Sequence, residues 1–175
     1  SENDHRHRIE HCILIDNESI EKMSRMNIYP SFHINHLYYY VDALEKQIIG
    51  ASRADQMLPL KAAAENDLRF TLHADQPMFE SDPLSLLHTA VNRSSRNGKI
   101  IGPQNKINVE QGLKALTINA AWQIKMENKI GSIKVGKYAD FVILDKNPLT
   151  VETNKIREIK VIQTIVNGNT VYKNR

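Results

Sequence analysis

Two periods of apolar residues alternate along this chain, and their order predicts its architecture. Residues 7–15 (His-Arg-Ile-Glu-His-Cys-Ile-Leu-Ile) read as a strand, and Asp16-Asn17 offer a helix N-cap before a helical stretch at 18–26. Further strands are expected at 28–33 and 69–73. The polar and aromatic stretch 36–56 reads as an active-site loop with short helical pieces. Residues 60–66 are helical by propensity. Strand, helix, strand, helix, strand at about 30 residues per unit is the signature of parallel βαβ repeats. Asp82 and Pro83 open a helix over 83–91, a turn-rich loop fills 92–106, and Asn108 caps a helix over 109–116 that 117–126 extends or follows.

After Asn128 the pattern becomes β-type, with runs at 138–144 and 159–166. Asn167-Gly168 is a hairpin signal returning into 169–173. The expected organisation is an α/β part over residues 1–127 and a small β module over 128–175.

The chain has 175 residues, 41% hydrophobic and 25% charged, which suits one sizeable buried core. Lysine and arginine number 23 against 20 acidic residues, and the two signs are interspersed. That leaves no basic face for nucleic acid. No apolar run approaches the ~20 residues of a membrane span, and residues 1–6 are unlike a signal peptide. The single Cys12 excludes an intrachain disulfide and points to a reducing, cytoplasmic compartment. A start at Ser1 almost directly into a strand suggests a chain cut from something longer.

The candidate chemistry gathers at strand ends. In a parallel barrel, the C-terminal end of each strand faces the mouth where active sites form. His11 has such a position; as a residue type it suits either a hydrogen-bonded structural role or a metal ligand. Asp75, followed by Gln76-Pro77, suits a metal ligand, a general base or a cap for the loop beyond. Two βα units separate the pair, which places both at one mouth. His73 lies two residues before Asp75 on the same face, beneath or beside the site. His33 ends the middle strand and His36 follows it, for substrate contact or loop hydrogen bonding. Phe32, Tyr38, Tyr39 and Tyr40 offer aromatic pocket walls or packing for the loop. His5 and His7 flank Arg6, whose cationic neighbourhood disfavours a metal, and read as solvated surface. Gly131 to Lys137 mimics a phosphate-binding loop, but Tyr138 stands where Ser or Thr is needed and a strand follows, so its glycines are expected to make turns.

Five stretches carry a family resemblance: Arg8-Ile-Glu-His11, Ser31 to Tyr40, His73-Ala-Asp-Gln-Pro77, Ala115 to Ala121, and Gly131 to Asp145. Together they resemble the amidohydrolase superfamily, and within it amidohydrolase family 3, the branch of N-substituted formamide deformylase-like enzymes. The resemblance spans nearly the whole chain but only the C-terminal third of a family member. It implies about three βα units of a (β/α)8 TIM barrel followed by a small β-sandwich. His11 would be the histidine of barrel strand six and Asp75 the aspartate of strand eight. A divalent metal, usually zinc, would activate water against an amide-type carbon–nitrogen bond of a small molecule. His11 and Asp75 would be metal ligands, with Asp75 also the catalytic proton carrier; His33, His36 and His73 are placed toward substrate. His73-Ala74-Asp75 departs from the commoner serine-aspartate ending.

The family's ligands from strands one, four and five have no counterpart here, and a whole barrel takes ~250 residues. The chain alone is therefore expected to be inactive, and to bind metal weakly or not at all. Its open strand edges predict a homo-oligomer or association with the missing N-terminal part. The alternative is a non-catalytic truncated barrel module that binds a protein partner through its open edge.

Overall fold

The computed structural model describes residues 4–174. Three parallel strands, β1 (Arg8–His11), β2 (Tyr29–His33) and β3 (Thr71–His73), form one sheet with β2 at its centre. Between β1 and β2 runs α1 (Asn17–Arg25), capped by the Asp16 carboxylate accepting from Ser19 N–H at 2.8 Å. The longer crossover from β2 to β3 holds α2 (Asn35–Leu44), a π-helical turn at Glu45–Ile49, α3 (Gly50–Gln56) and α4 (Leu60–Glu65). Then follow α5 (Pro83–Asn92), α6 (Val109–Leu116) and α7 (Ile118–Gln123). The Asp82 carboxylate caps α5, and an Asn108–Gln111 capping box starts α6.

Two expectations need correction. The strand expected over 7–15 stops at His11: His11 and Cys12 both adopt left-handed backbone (φ 72° and 47°), and the ladder ends at the His11–Phe32 pair. The expected loop over 36–56 is almost wholly helical. Ile34, Leu37 and Val41 recur at helical spacing and are completely buried, and this period outweighs the polar and aromatic residues between them.

The core lies between sheet and helices. Phe32 and Leu72 point to the helical side, where Phe32 meets Phe70 edge-on at 5.8 Å and Ile20, Leu60 and Ala63 complete the layer. Short α7 closes the N-terminal end of the strands. Buried Gln123 donates to the Pro30 carbonyl and accepts from the Thr71 hydroxyl, Asn119 donates to the Phe70 carbonyl, and Trp122 packs edge-on against Tyr29. The opposite, C-terminal end stays free for the histidines.

A second, antiparallel sheet contains β4 (Phe141–Leu144), β5 (Val161–Val166) and β6 (Asn169–Lys173), with β5 central and Asn167-Gly168 turning the hairpin. It is one sheet among the described residues, whereas a sandwich needs two. A 3-10 turn, Thr153–Glu158, leads into β5 and packs on α5, with Ile156 and Ile159 buried in the main core. Gly131 and Gly136 (φ 84° and 90°) make the turns expected of them.

Candidate active site

The ladder registers decide which side chains share the open face of the parallel sheet. Glu10 is level with Ser31, Ser31 with Thr71, and His33 with His73. Level residues in a parallel sheet project to the same side, so these groups form one polar layer. Strict alternation would send His11 to the face of Ile9. Its left-handed backbone instead brings the ring over the polar layer, edge-on to His33 at 5.3 Å and to His73 at 5.2 Å. His33 and His73 stack at 5.1 Å.

Asp75 is also left-handed (φ 57°), a conformation that aspartate tolerates better than most residues. Its Oδ2 lies 3.3 Å from His11 Nε2 and 4.0 Å from His33 Nδ1. The five residues expected at one mouth are thus together: His36 packs against His33 at 4.3 Å, and one coordinating atom each from His11, His33 and His73 lies within 4.8 Å of the others. A cleft of about 520 Å³ opens beside β3, with Glu10, His11, Ser31, His73 and Asp75 among its walls.

Charge states follow from burial and neighbours. His33 is completely buried, and that burial pushes its pKa down to about 4, helped by His36 and His73 and opposed by Asp75. Burial also lowers His36 and His73. The hydrogen bond with His11 holds the Asp75 carboxyl below its usual range. Neutral imidazoles beside an ionised carboxylate are the protonation states a cation requires. Both ring nitrogens of His33 are buried without a hydrogen-bond partner, and so is Nδ1 of His36. Nitrogen donors with one carboxylate match the preferences of zinc and neighbouring transition metals, so the residues fit such an ion.

Sequence reasoning missed two members. Ser31 Oγ lies 2.8 Å from His73 Nδ1, and the Glu10 carboxylate is 4.0 Å from the same nitrogen. Burial opposes charge on Glu10, but hydrogen bonds from Arg8 and Ser31 outweigh it and keep the carboxyl below its usual range. Counting back two from His33 finds Ser31; Glu10 requires the register, which the sequence does not display.

Other candidates separate from the site. Phe32 faces the helices and is no pocket wall, and Tyr38 lies under the Arg157 guanidinium at 3.8 Å. Tyr39 and Tyr40 gather instead around Phe79, which meets His33 at 5.4 Å. His5 and His7 stack on each other near the surface. Arg6 does not join them in solvent: it donates to the Trp122 carbonyl at 2.6 Å and pairs with Glu127 at 2.8 Å. Cys12 is buried, donates to the Ile9 carbonyl, and has its thiol pushed up to about 11 by burial, so it is structural rather than reactive.

Parallel strands ending in histidines and a carboxylate define an α/β fold with a candidate metal site. The chain belongs to the amidohydrolase family, whose model matches residues 1–172. It is 29% identical over 118 residues to the N-substituted formamide deformylase of Arthrobacter pascens, covering 67% of this chain and 22% of that protein. It is 27% identical over 173 residues to the amidohydrolase YtcJ of Bacillus subtilis, covering 95% of this chain and 32% of the relative. The chain thus spans a third or less of the length of these curated relatives. A metal-dependent hydrolase from Pyrococcus horikoshii shares the fold with a TM-score of 0.71 at 23% identity, over 83% of this chain and 30% of that one. No helix among the described residues is long and apolar enough to cross a membrane.

Proposed function

We propose that this chain is the C-terminal part of a cytoplasmic metal-dependent amidohydrolase that cleaves an amide-type, non-peptide carbon–nitrogen bond in a small molecule. The observation that supports it best is the meeting of His11, His33 and His73 with Asp75 at the C-terminal ends of three parallel strands. On this reading residues 1–127 are the last βα units of a TIM barrel and 128–175 a small β module. The remaining strands come from an N-terminal part or a partner that covers the open edges of β1 and β3.

His11 and Asp75 would hold the ion, zinc by its taste for mixed nitrogen and oxygen donors. Held there, such a cation would lower the pKa of water from roughly 15.7 to about 7. The ionised Asp75 carboxylate would take the water proton as the oxygen adds to the carbonyl carbon, and would return it to the nitrogen as the carbon–nitrogen bond breaks. His36, half-buried beside Tyr40 at 5.4 Å, is assigned to the substrate.

Hydrolysis of N-substituted formamides and simple amides tests this, measured for the 175-residue chain and for a longer polypeptide that supplies the missing strands. The longer form should turn over and its Asp75→Asn variant should not, while the chain alone stays silent. Near-normal turnover by that variant would remove Asp75 from the chemistry. Turnover by the chain alone would refute the part-site reading.

A further inference from the structure

We propose that His33 and His73 join His11 as ligands to one divalent transition-metal ion, so that this chain takes up zinc through three imidazoles of its own. The inference rests on the metal-site reading above and gives His33 and His73 a role other than the substrate contact their sequence positions suggest.

Burial carries the first step. His33 is wholly inaccessible, so a substrate in the cleft does not reach it, yet neither ring nitrogen has a hydrogen-bond partner. Its Nδ1 faces the Asp75 carboxylate at 4.0 Å, on the side where His11 Nε2 also approaches Asp75. In the tautomer protonated at Nε2, an imidazole in that place offers its Nδ1 lone pair on the side of His11 Nε2 and Asp75.

The tautomer of His73 supplies the second step. A metal-binding histidine nearly always has its other ring nitrogen held by an outer hydrogen bond, which fixes the ring and its proton. His73 Nδ1 has that bond in Ser31 Oγ at 2.8 Å, and Ser31 itself stabilises the Glu10 carboxylate. With the hydroxyl proton directed to Glu10, Ser31 accepts from His73 Nδ1–H, and Nε2 keeps its lone pair for a metal. Glu10 and Ser31 thus form an outer chain behind His73.

Geometry sets the remaining requirement. Donors around a tetrahedral zinc with ~2.0–2.1 Å bonds stand roughly 3.4 Å apart. Here the three ring nitrogens lie within 4.8 Å of one another. Small side-chain rotations close the set, and His11 and His73, both partly exposed, have room to make them.

The test is zinc binding by the untagged chain, measured by calorimetry against a competing chelator, with X-ray absorption to count bound imidazoles. The expected result is one zinc per chain with three imidazole nitrogens. His33→Gln and His73→Gln should each weaken binding by more than about tenfold, the loss that even an outer partner causes. His5→Asn with His7→Asn should leave it unchanged. Unaltered affinity in His33→Gln and His73→Gln, with loss in His11→Gln and Asp75→Asn, overturns this inference and leaves the His11–Asp75 reading standing. Loss in His11→Gln, His33→Gln and His73→Gln with unaltered affinity in Asp75→Asn upholds this inference and removes Asp75 from the ligand set. Failure of the folded wild-type chain to take up zinc also overturns the inference. Should His33→Gln unfold by circular dichroism, His73→Gln and the imidazole count decide the matter alone.

Discussion

His11 Nε2 and Asp75 Oδ2 stand 3.3 Å apart although 64 residues separate them and their strands do not touch. The strands β1 and β3 flank β2, so their backbones lie roughly 9.6 Å apart at the ordinary strand spacing. The contact exists because both residues are left-handed and bend inward over the end of β2, where His33 sits between them. Such backbones cost about 1 kcal/mol each and collect at functional sites.

The first prediction concerns that carboxylate. Asp75→Asn keeps the side-chain shape and removes the proposed proton acceptor, so turnover of the longer polypeptide should fall by about 10²–10⁴, the usual worth of general acid–base catalysis. The melting temperature should stay close to that of the parent, since both partners are two-fifths exposed. Steady-state kinetics beside a thermal melt give both quantities.

Acid should destabilise the metal-free chain earlier than its carboxylates alone would allow. The folded pKa of His33 is about 4 against 6.5 for the free side chain, and His36 and His73 shift the same way. Between those two values the unfolded chain holds the proton and the folded chain does not. Stability is therefore full above the unfolded value and falls as pH drops toward 4. The depressed Asp75 adds a loss only at still lower pH, below its usual 3.8. Melting temperatures from about pH 8 to pH 4.5 should decline through this window, and a flat profile would be incompatible with neutral buried rings.

Ser31→Ala removes the hydroxyl that holds His73 Nδ1 without touching a proposed ligand. Zinc affinity should drop by about 10–100-fold, as for other outer-shell partners. A chelator competition assay reads this directly, and Ser31→Thr should restore part of the loss.

Away from the site, Arg93 organises the turn after α5. It is completely buried, left-handed (φ 59°), and donates to the carbonyls of Met57, Leu58 and Ile101. Burial pulls its pKa down to about 9 against the pull of Asp55, which keeps it charged at neutral pH. Arg93→Met takes the donor from the Met57 and Ile101 carbonyls, while Leu58 keeps the Leu60 N–H, and should cost about 3–5 kcal/mol. Gly102→Ala should also destabilise, since its Cβ would fall 2.1 Å from the Asp55 carbonyl oxygen. Urea melts of the two variants measure both effects.

The legible parts of this chain were those where one local signal sufficed. Asp82-Pro83 and Asn108 with Gln111 fixed two helix starts, and Asn167-Gly168 fixed the hairpin. The histidines ending β1, β2 and β3 were readable from the strand pattern alone. Composition misled at 36–56, where three tyrosines drew attention from the period of Leu37 and Val41. The backbone reversal at His11 was invisible, because left-handed backbone at a non-glycine residue has no sequence mark. Glu10 and Ser31 escaped for a different reason: their partnership with His73 depends on how three strands are aligned.

The 3-10 turn at Thr153–Glu158 gives the C-terminal region a mechanical role. Arg157 stacks on Tyr38, whose carbonyl in turn accepts from Arg96 N–H, and Tyr38 belongs to the helix that carries His36 and Tyr40. Thr153 and Asn92 exchange hydrogen bonds on the neighbouring helix. The last quarter of the chain therefore acts as a brace on the wall of the chamber. Trimming it away would be felt first as a loosened α2, with every histidine still present.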